Sequence, residues 1–91
     1  MSPIWEESSR KHGVSQSDQV YAILHATYVA TLPETGQRGG RVVLYIGPEH
    51  AQTSRELEVL VEDFGGVPEA RVFHAMRLGP KLRRYREENP G

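Results

Sequence analysis

Apolar and polar positions alternate with two different periods along this chain, and the places where the period changes mark out its elements. From Glu56 to Glu62 the period is two. Leu57, Val59 and Val61 face one way, while Glu56, Glu58 and Glu62 share the other side with Leu60, as in a half-buried antiparallel strand. Arg41 to Ile46 is nearly all apolar, which predicts a central strand covered on both faces. Tyr28 to Leu32 is β-branched and aromatic and predicts a first strand closed by Pro33, and Ala70 to Met76 predicts the fourth. Gln16 to Ala26 has helical spacing, with Val20, Ile23, Leu24 and Thr27 along one stripe. Ser2-Pro3 serves as a cap and first helical position for a helix of about two turns over Ile4 to His12. A last helix carrying Leu82 and Tyr85 follows the break at Gly79-Pro80.

Two glycine-rich stretches punctuate the strands: Glu34 to Gly40, and Phe64-Gly65-Gly66-Val67-Pro68, which reads as a hairpin turn. The predicted order is ααββββα. It describes an α+β domain over residues 1–91, with two N-terminal helices, a four-stranded antiparallel meander sheet and a C-terminal helix. Neither an internal repeat nor a low-complexity segment interrupts it.

The joint between the first two predicted helices is the most specific local signal. Gly13 can take the left-handed conformation that closes a helix, and Val14 follows as an apolar residue that packs back. Ser15 caps the next helix, with Asp18 three residues on as the acidic member of a capping box. This corner carries Lys11 and His12. A basic pair ends a helix favourably at the negative pole of its dipole, and the same pair is available for chemistry.

Composition narrows the class. The chain has 91 residues and no cysteine, which excludes disulfides and cysteine metal sites and predicts a cytoplasmic protein. No apolar run approaches the ~20 residues of a membrane span, and no signal-peptide core is visible. The formal charge of −1 conceals a segregation. Six acids and one Arg lie between Glu49 and Glu69, whereas six basic residues and no acid lie between Arg71 and Arg86. The basic block predicts a positive face suited to phosphate or to an acidic partner.

Candidate chemistry centres on the fourth strand. Strict alternation puts Val72, His74 and Met76 on one face and Arg71, Phe73, Ala75 and Arg77 on the other. Arg77 at the strand end and Lys81 at the start of the last helix can meet His74 if a bulge or strand twist helps. Such groups suit RNA cleavage without a metal. A base takes the 2′-hydroxyl proton, a cation stabilises charge on the phosphorus, and an acid protonates the departing 5′ oxygen. Lys11 and His12 can complete the site from the helix corner. His25 and His50 have no supporting neighbours, and no His pair has metal-ligand spacing. Glu58 is expected on a solvated face or paired with Arg41. The four tyrosines are scattered packing residues, and Trp5 anchors the first helix to the sheet.

With these residues in place, the chain resembles the small BrnT-like toxins of bacterial toxin-antitoxin pairs, within the wider RelE-like group. The resemblance runs through Lys-His-Gly-Val-Ser at 11–15, the strand ending Tyr45-Ile46-Gly47, and the strand Leu57-Glu58-Val59-Leu60-Val61. It ends with His74-Ala75-Met76-Arg77 before a basic helix. Where such toxins carry an Arg-rich run, Gly79-Pro80 interrupts this chain. The resemblance implies a compact α+β ribonuclease that blocks translation, and a small DNA-binding antitoxin that covers the basic face and represses the operon.

The expected site therefore places His74 and Arg77 at its centre, with Lys11, His12 and Lys81 around them. Arg41, Arg83, Arg84 and Arg86 hold phosphates, and neither a metal nor another cofactor is required. The expected partners are RNA, including mRNA on the ribosome, the antitoxin, and a second copy of the chain. The competing reading is a non-enzymatic interaction module that binds through the basic C-terminal helix and an open sheet edge.

Overall fold

The computed structural model describes residues 4–66 and 69–90. Its elements are β1 (Ile4–Trp5), a short 3-10 helix (Glu7–Arg10), α1 (Gln16–Leu24), β2 (Tyr28–Thr35), β3 (Arg41–Pro48), β4 (Glu56–Asp63), β5 (Arg71–Arg77) and α2 (Pro80–Glu88). The strands form one mixed sheet in the order β1-β5-β4-β3-β2, antiparallel except where β1 runs parallel to β5. The predicted ααββββα order and four-stranded antiparallel meander are thereby overturned. Among the described residues the fold is α+β, with two α-helices, one 3-10 helix and a five-stranded mixed sheet.

The error lies at Ile4 to His12. Ile4 and Trp5 extend and pair with Arg71 and Val72 on the open edge of β5. The Ile4 N–H donates to the Ala70 carbonyl at 2.8 Å and the Glu6 N–H to the Val72 carbonyl at 2.9 Å. A two-turn helix has too few internal hydrogen bonds to offset nucleation, whereas an edge strand offers partners to a bulky apolar pair. The predicted cap at Ser2-Pro3 lies outside the described residues, as do Val67 and Pro68 of the predicted hairpin turn.

The predicted corner keeps its Gly13 turn and Ser15 cap, but it follows a 3-10 helix in place of the predicted two-turn helix, and among the described residues Asp18 does not return a hydrogen bond to the Ser15 N–H. Gly13 adopts φ +75°, and the Ser15 hydroxyl accepts the Asp18 N–H at 3.2 Å to cap α1. α1 is rotated from its predicted orientation, however. Gln19 and Ala22 are its buried residues, while Leu24 is 74% exposed. The cause is backbone approach: a Cβ at Gly47 would overlap the Ala22 carbonyl oxygen. The helix therefore lies down on its small residue; Val20 and Leu24 turn outward, while Ile23 stays partly buried against the core.

Each sheet face is covered by one helix. On the first face Ala22 of α1 packs with Leu57, Val59, Val61, Val72 and Ala75, and Trp5, Val14 and Tyr45 border them. On the second face Leu78 and Leu82 pack with Leu32, Val42, Leu44 and Ile46, bordered by Tyr28, Leu60, Phe73 and Tyr85. Pro80 supplies a preset φ at the first position of α2, with Gly79 as its N-cap. No helix among the described residues is long and apolar enough to cross a membrane.

Candidate active site

One departure from strand alternation builds the site. On β5, His74 pairs with Leu60 but Val72 pairs with Val61, so Phe73 is an extra residue opposite a single step of β4. In such a bulge two successive side chains share a face. Val72 and Ala75 therefore stay with the α1 core, while Phe73 and His74 both turn to the α2 side. The expected sharing of one face by Val72 and His74 is corrected accordingly.

On that face His74 meets Glu58, which is diagonally across from it on β4. The imidazole Nε2 lies 2.7 Å from Glu58 Oε2. The second carboxylate oxygen, Oε1, accepts the Gly79 N–H at 2.9 Å. Glu58 is thus a buried carboxylate, 6% exposed, held between an imidazole and the amino end of α2, where the helix dipole favours negative charge. Burial pushes this carboxyl up, but the hydrogen bonds from His74 and Gly79 and the charges of the His74 and His12 imidazoles outweigh it. The Glu58 carboxyl is held below its ordinary value. Neither predicted setting for Glu58 is realised. Arg41 pairs instead with Asp63, at 3.2 Å.

The carboxylate also fixes the chemistry of the ring. An ionised acid only accepts, so Nε2 carries the hydrogen, and in the neutral ring Nδ1 keeps the lone pair. His12 stands beside it from the corner. The two ring centroids are 5.6 Å apart, edge to face at 73°.

Both imidazoles line a cleft of about 680 Å³. Its floor is Val42, Leu60, Glu62, Phe73 and His74, from the three central strands. One wall is the segment from Glu6 to His12, which includes Lys11, and the other is the β2–β3 hairpin with Glu34 and Arg38. The Ser8 hydroxyl ties the first wall to the bulge by donating to the Phe73 carbonyl at 2.6 Å. The second wall rests on Glu62, whose Oε2 accepts the backbone N–H groups of Arg38 at 2.9 Å and Gly40 at 2.8 Å.

The fixed charges in the cleft are mixed. Glu6, Glu7, Glu34 and Glu62 face Lys11 and Arg38, and Glu6 is shared between Arg71 at 3.4 Å and Arg38 at 3.7 Å. A phosphate entering here finds its cations in Lys11, Arg38 and the imidazolium forms of the two histidines. Among the described residues no group of three His, Cys, Asp or Glu side chains could hold a metal ion.

Of the predicted catalytic set, Lys11, His12 and His74 converge on this cleft. Arg77 does not: its register with Leu57 puts it on the α1 side of the sheet, exposed. Lys81 is exposed at the start of α2 and does not line the cleft. The predicted phosphate holders are likewise elsewhere. Arg83 and Arg84 are exposed on α2, and Arg86 is bound by both oxygens of Glu56, at 2.7 and 3.1 Å. Glu58, Glu62 and Arg38 were not expected in the site. No regular strand pattern could have shown them, because Glu58 and Glu62 sit at polar positions that look solvated.

Comparison of the chain with models of known protein families, with curated proteins and with solved structures finds no match.

Proposed function

We propose that the cleft is the active site of a metal-independent endoribonuclease of the toxin kind, acting on mRNA in the cytoplasm and held in check by a small antitoxin. One observation carries this reading: two imidazoles from distant parts of the chain meet in one cleft, and a buried carboxylate backs one of them. His74, with Nε2 bonded to Glu58, offers Nδ1 to take the proton of a 2′-hydroxyl, and His12 delivers a proton to the leaving 5′ oxygen. The attack forms a 2′,3′-cyclic phosphate and breaks the P–O5′ bond, so no water or metal enters the first step. Lys11 stabilises the charge gathering on the phosphate oxygens. The BrnT-like resemblance supports the same assignment for the Lys11-His12 corner.

The test is cleavage of an end-labelled RNA by purified protein in EDTA, beside the same sequence carrying 2′-O-methyl groups. The RNA is expected to be cut and the methylated strand to stay whole. His12→Ala and His74→Ala are each expected to slow cleavage by about 10²–10⁴-fold. Cleavage by His74→Ala at the wild-type rate overturns the proposal.

A second reading, a non-enzymatic binding module, draws on the cations outside the cleft. Arg77, Lys81, Arg83 and Arg84 are exposed and make no ion pair among the described residues. In the nuclease reading these residues are where an acidic antitoxin segment docks. A stable complex that Arg83→Glu/Arg84→Glu disrupts, formed by a protein that leaves all RNA intact, favours the module.

A further inference from the structure

Gln19 lies on α1, outside the cleft, and is fully buried. Its Nε2 donates two hydrogen bonds, to the Ser9 carbonyl and to the Val14 carbonyl, each at 3.0 Å. Its Oε1 is buried without a hydrogen-bond partner. The amide orientation is not interchangeable, because a flipped side chain would aim its oxygen at two carbonyls and satisfy none of them. So this glutamine acts only as a donor, and it does so at the cost of an orphaned acceptor.

The position of its two acceptors gives the arrangement a purpose. Residues 9 and 14 bracket the segment Arg10-Lys11-His12-Gly13, which is exposed along its whole length. Within that segment the Lys11 and Gly13 N–H groups bond only to the preceding turn, to the Ser8 and Arg10 carbonyls. One side-chain amide therefore closes the loop from both ends and pins it to α1. The Ser8 hydroxyl on the Phe73 carbonyl supplies the third attachment, on the β5 side.

We infer that Gln19 is a positioning residue for the catalytic corner, holding His12 at its distance from His74 through a two-point clamp on the Ser9 and Val14 carbonyls. The inference rests on the nuclease reading for its kinetic consequence, although the clamp itself does not. An unclamped corner keeps the Lys11-His12 sequence but lets His12 swing away from the partner ring. Misplacement of a reacting group by about 1 Å costs up to about a hundredfold in rate, and the loss falls on kcat because the floor and the second wall of the cleft are untouched.

Three measurements on the full chain test it. In the wild-type protein the Gln19 side-chain amide protons are expected to exchange with solvent far more slowly than those of exposed Gln16 and Gln52. In Gln19→Leu, which keeps the volume and removes the donors, proton–proton NOEs between the His12 and His74 rings are expected to vanish, while the sheet amides and the His74–Glu58 hydrogen bond keep their signals. The kcat for RNA should fall about ten- to a hundredfold with KM little changed. Retention of both the ring NOEs and kcat in the folded variant overturns the clamp. So does fast exchange of the Gln19 side chain in the wild type, a result that stands even if Gln19→Leu does not fold. Absence of wild-type RNA cleavage sinks the nuclease reading alone, since ring NOEs and amide exchange still decide the clamp.

Discussion

The carboxylate of Glu58 bonds the His74 ring at 2.7 Å and the Gly79 N–H at 2.9 Å, so one buried acid joins a cleft histidine to the start of α2. Had β5 kept strict alternation through Val72, either His74 would enter the α1 core or Val72 would leave it. The extra residue, Phe73, lets both apolar packing and the Glu58–His74 pair exist on one strand. The same acid also closes the second face, because Gly79 and Pro80 open the helix that lays Leu82 on Val42, Leu44 and Ile46.

Stability should depend on acid through Glu58. Its carboxyl is held below the ordinary value of 4.5 in the folded protein. In the unfolded chain it returns to that value and takes up a proton first as pH falls. The unfolded state then binds more protons, so stability declines with falling pH and the contribution is gone below the folded-state value. At neutral pH Glu58→Gln is expected to cost about 1–3 kcal/mol, since a charged acceptor of two hydrogen bonds is lost. Urea midpoints measured from pH 7 to pH 2.5 should differ most at neutral pH and converge in acid. Parallel curves for wild type and Glu58→Gln would contradict the pairing.

Cations inside and outside the cleft should separate in kinetics. Lys11→Ala removes a charge beside the two imidazoles and is expected to lower kcat/KM for RNA about a hundredfold, the scale of one well-aimed electrostatic donor. Arg77→Ala, on the α1 side of the sheet, should leave kcat/KM within about twofold, a far smaller change than such a donor carries. Equal losses from the two variants would mean that the sheet face does not decide function.

The parts legible in the sequence were those set by a local period or a local turn. Four strands could be placed because β-branched runs and the alternation of Glu56 to Glu62 repeat every two residues, and Ser15 and Gly13 announced the start of α1. Three features depend on long-range contacts and were invisible. Ile4 and Trp5 become a strand only because β5, far along the chain, leaves an edge open at Arg71 and Val72. The bulge at Phe73 leaves no trace in a run of mixed apolar residues. Glu58 and Glu62 obey the polar side of the alternation yet are buried, because the residues that satisfy them, His74, Gly79, Arg38 and Gly40, come from other elements. The convergence of Lys11 and His12 on His74 could be suspected from chemistry, but the exclusion of Arg77 required the register.

The close approach of α1 to β3 makes Gly47 a sensitive position. Any Cβ there would overlap the Ala22 carbonyl oxygen and sit 3.1 Å from the Ala26 Cα. Both are backbone atoms, so relief requires moving the helix rather than a side chain. Gly47→Ala is expected to destabilise by about 1–3 kcal/mol, as overpacking does. For a domain of this size that lowers Tm by about 4–8 °C per kcal/mol. Gly65, at φ +80° with nothing near its Cβ direction, provides a contrast: alanine there strains the turn without displacing α1. Calorimetry, with the NMR shifts of Leu57 and Val59 reporting on the α1 core, distinguishes the two.

The hairpin wall of the cleft should respond to Glu62 according to its oxygen atoms and not its charge. The Oε2 atom accepts the Arg38 and Gly40 N–H groups, and the side chain lies so close that a Cβ at Gly40 would come within 2.7 Å of the Glu62 Cγ. Glutamine can present its carbonyl oxygen to both donors, whereas leucine leaves two backbone N–H groups without a partner. The expected order of stability is wild type, then Glu62→Gln, then Glu62→Leu, with the leucine variant lower by about 2–4 kcal/mol for two orphaned donors. Hydrogen exchange gives the local readout: the Arg38 and Gly40 amides should stay protected in Glu62→Gln and open in Glu62→Leu, while the β4–β5 amides remain slow in both. Because Arg38 and Glu34 line the cleft from this hairpin, Glu62→Leu should also raise KM for RNA. The His12 and His74 rings, held from the opposite wall and the floor, should keep their contact. If Glu62→Gln opened the hairpin as far as Glu62→Leu, the negative charge and not the shared acceptor would be what holds the wall.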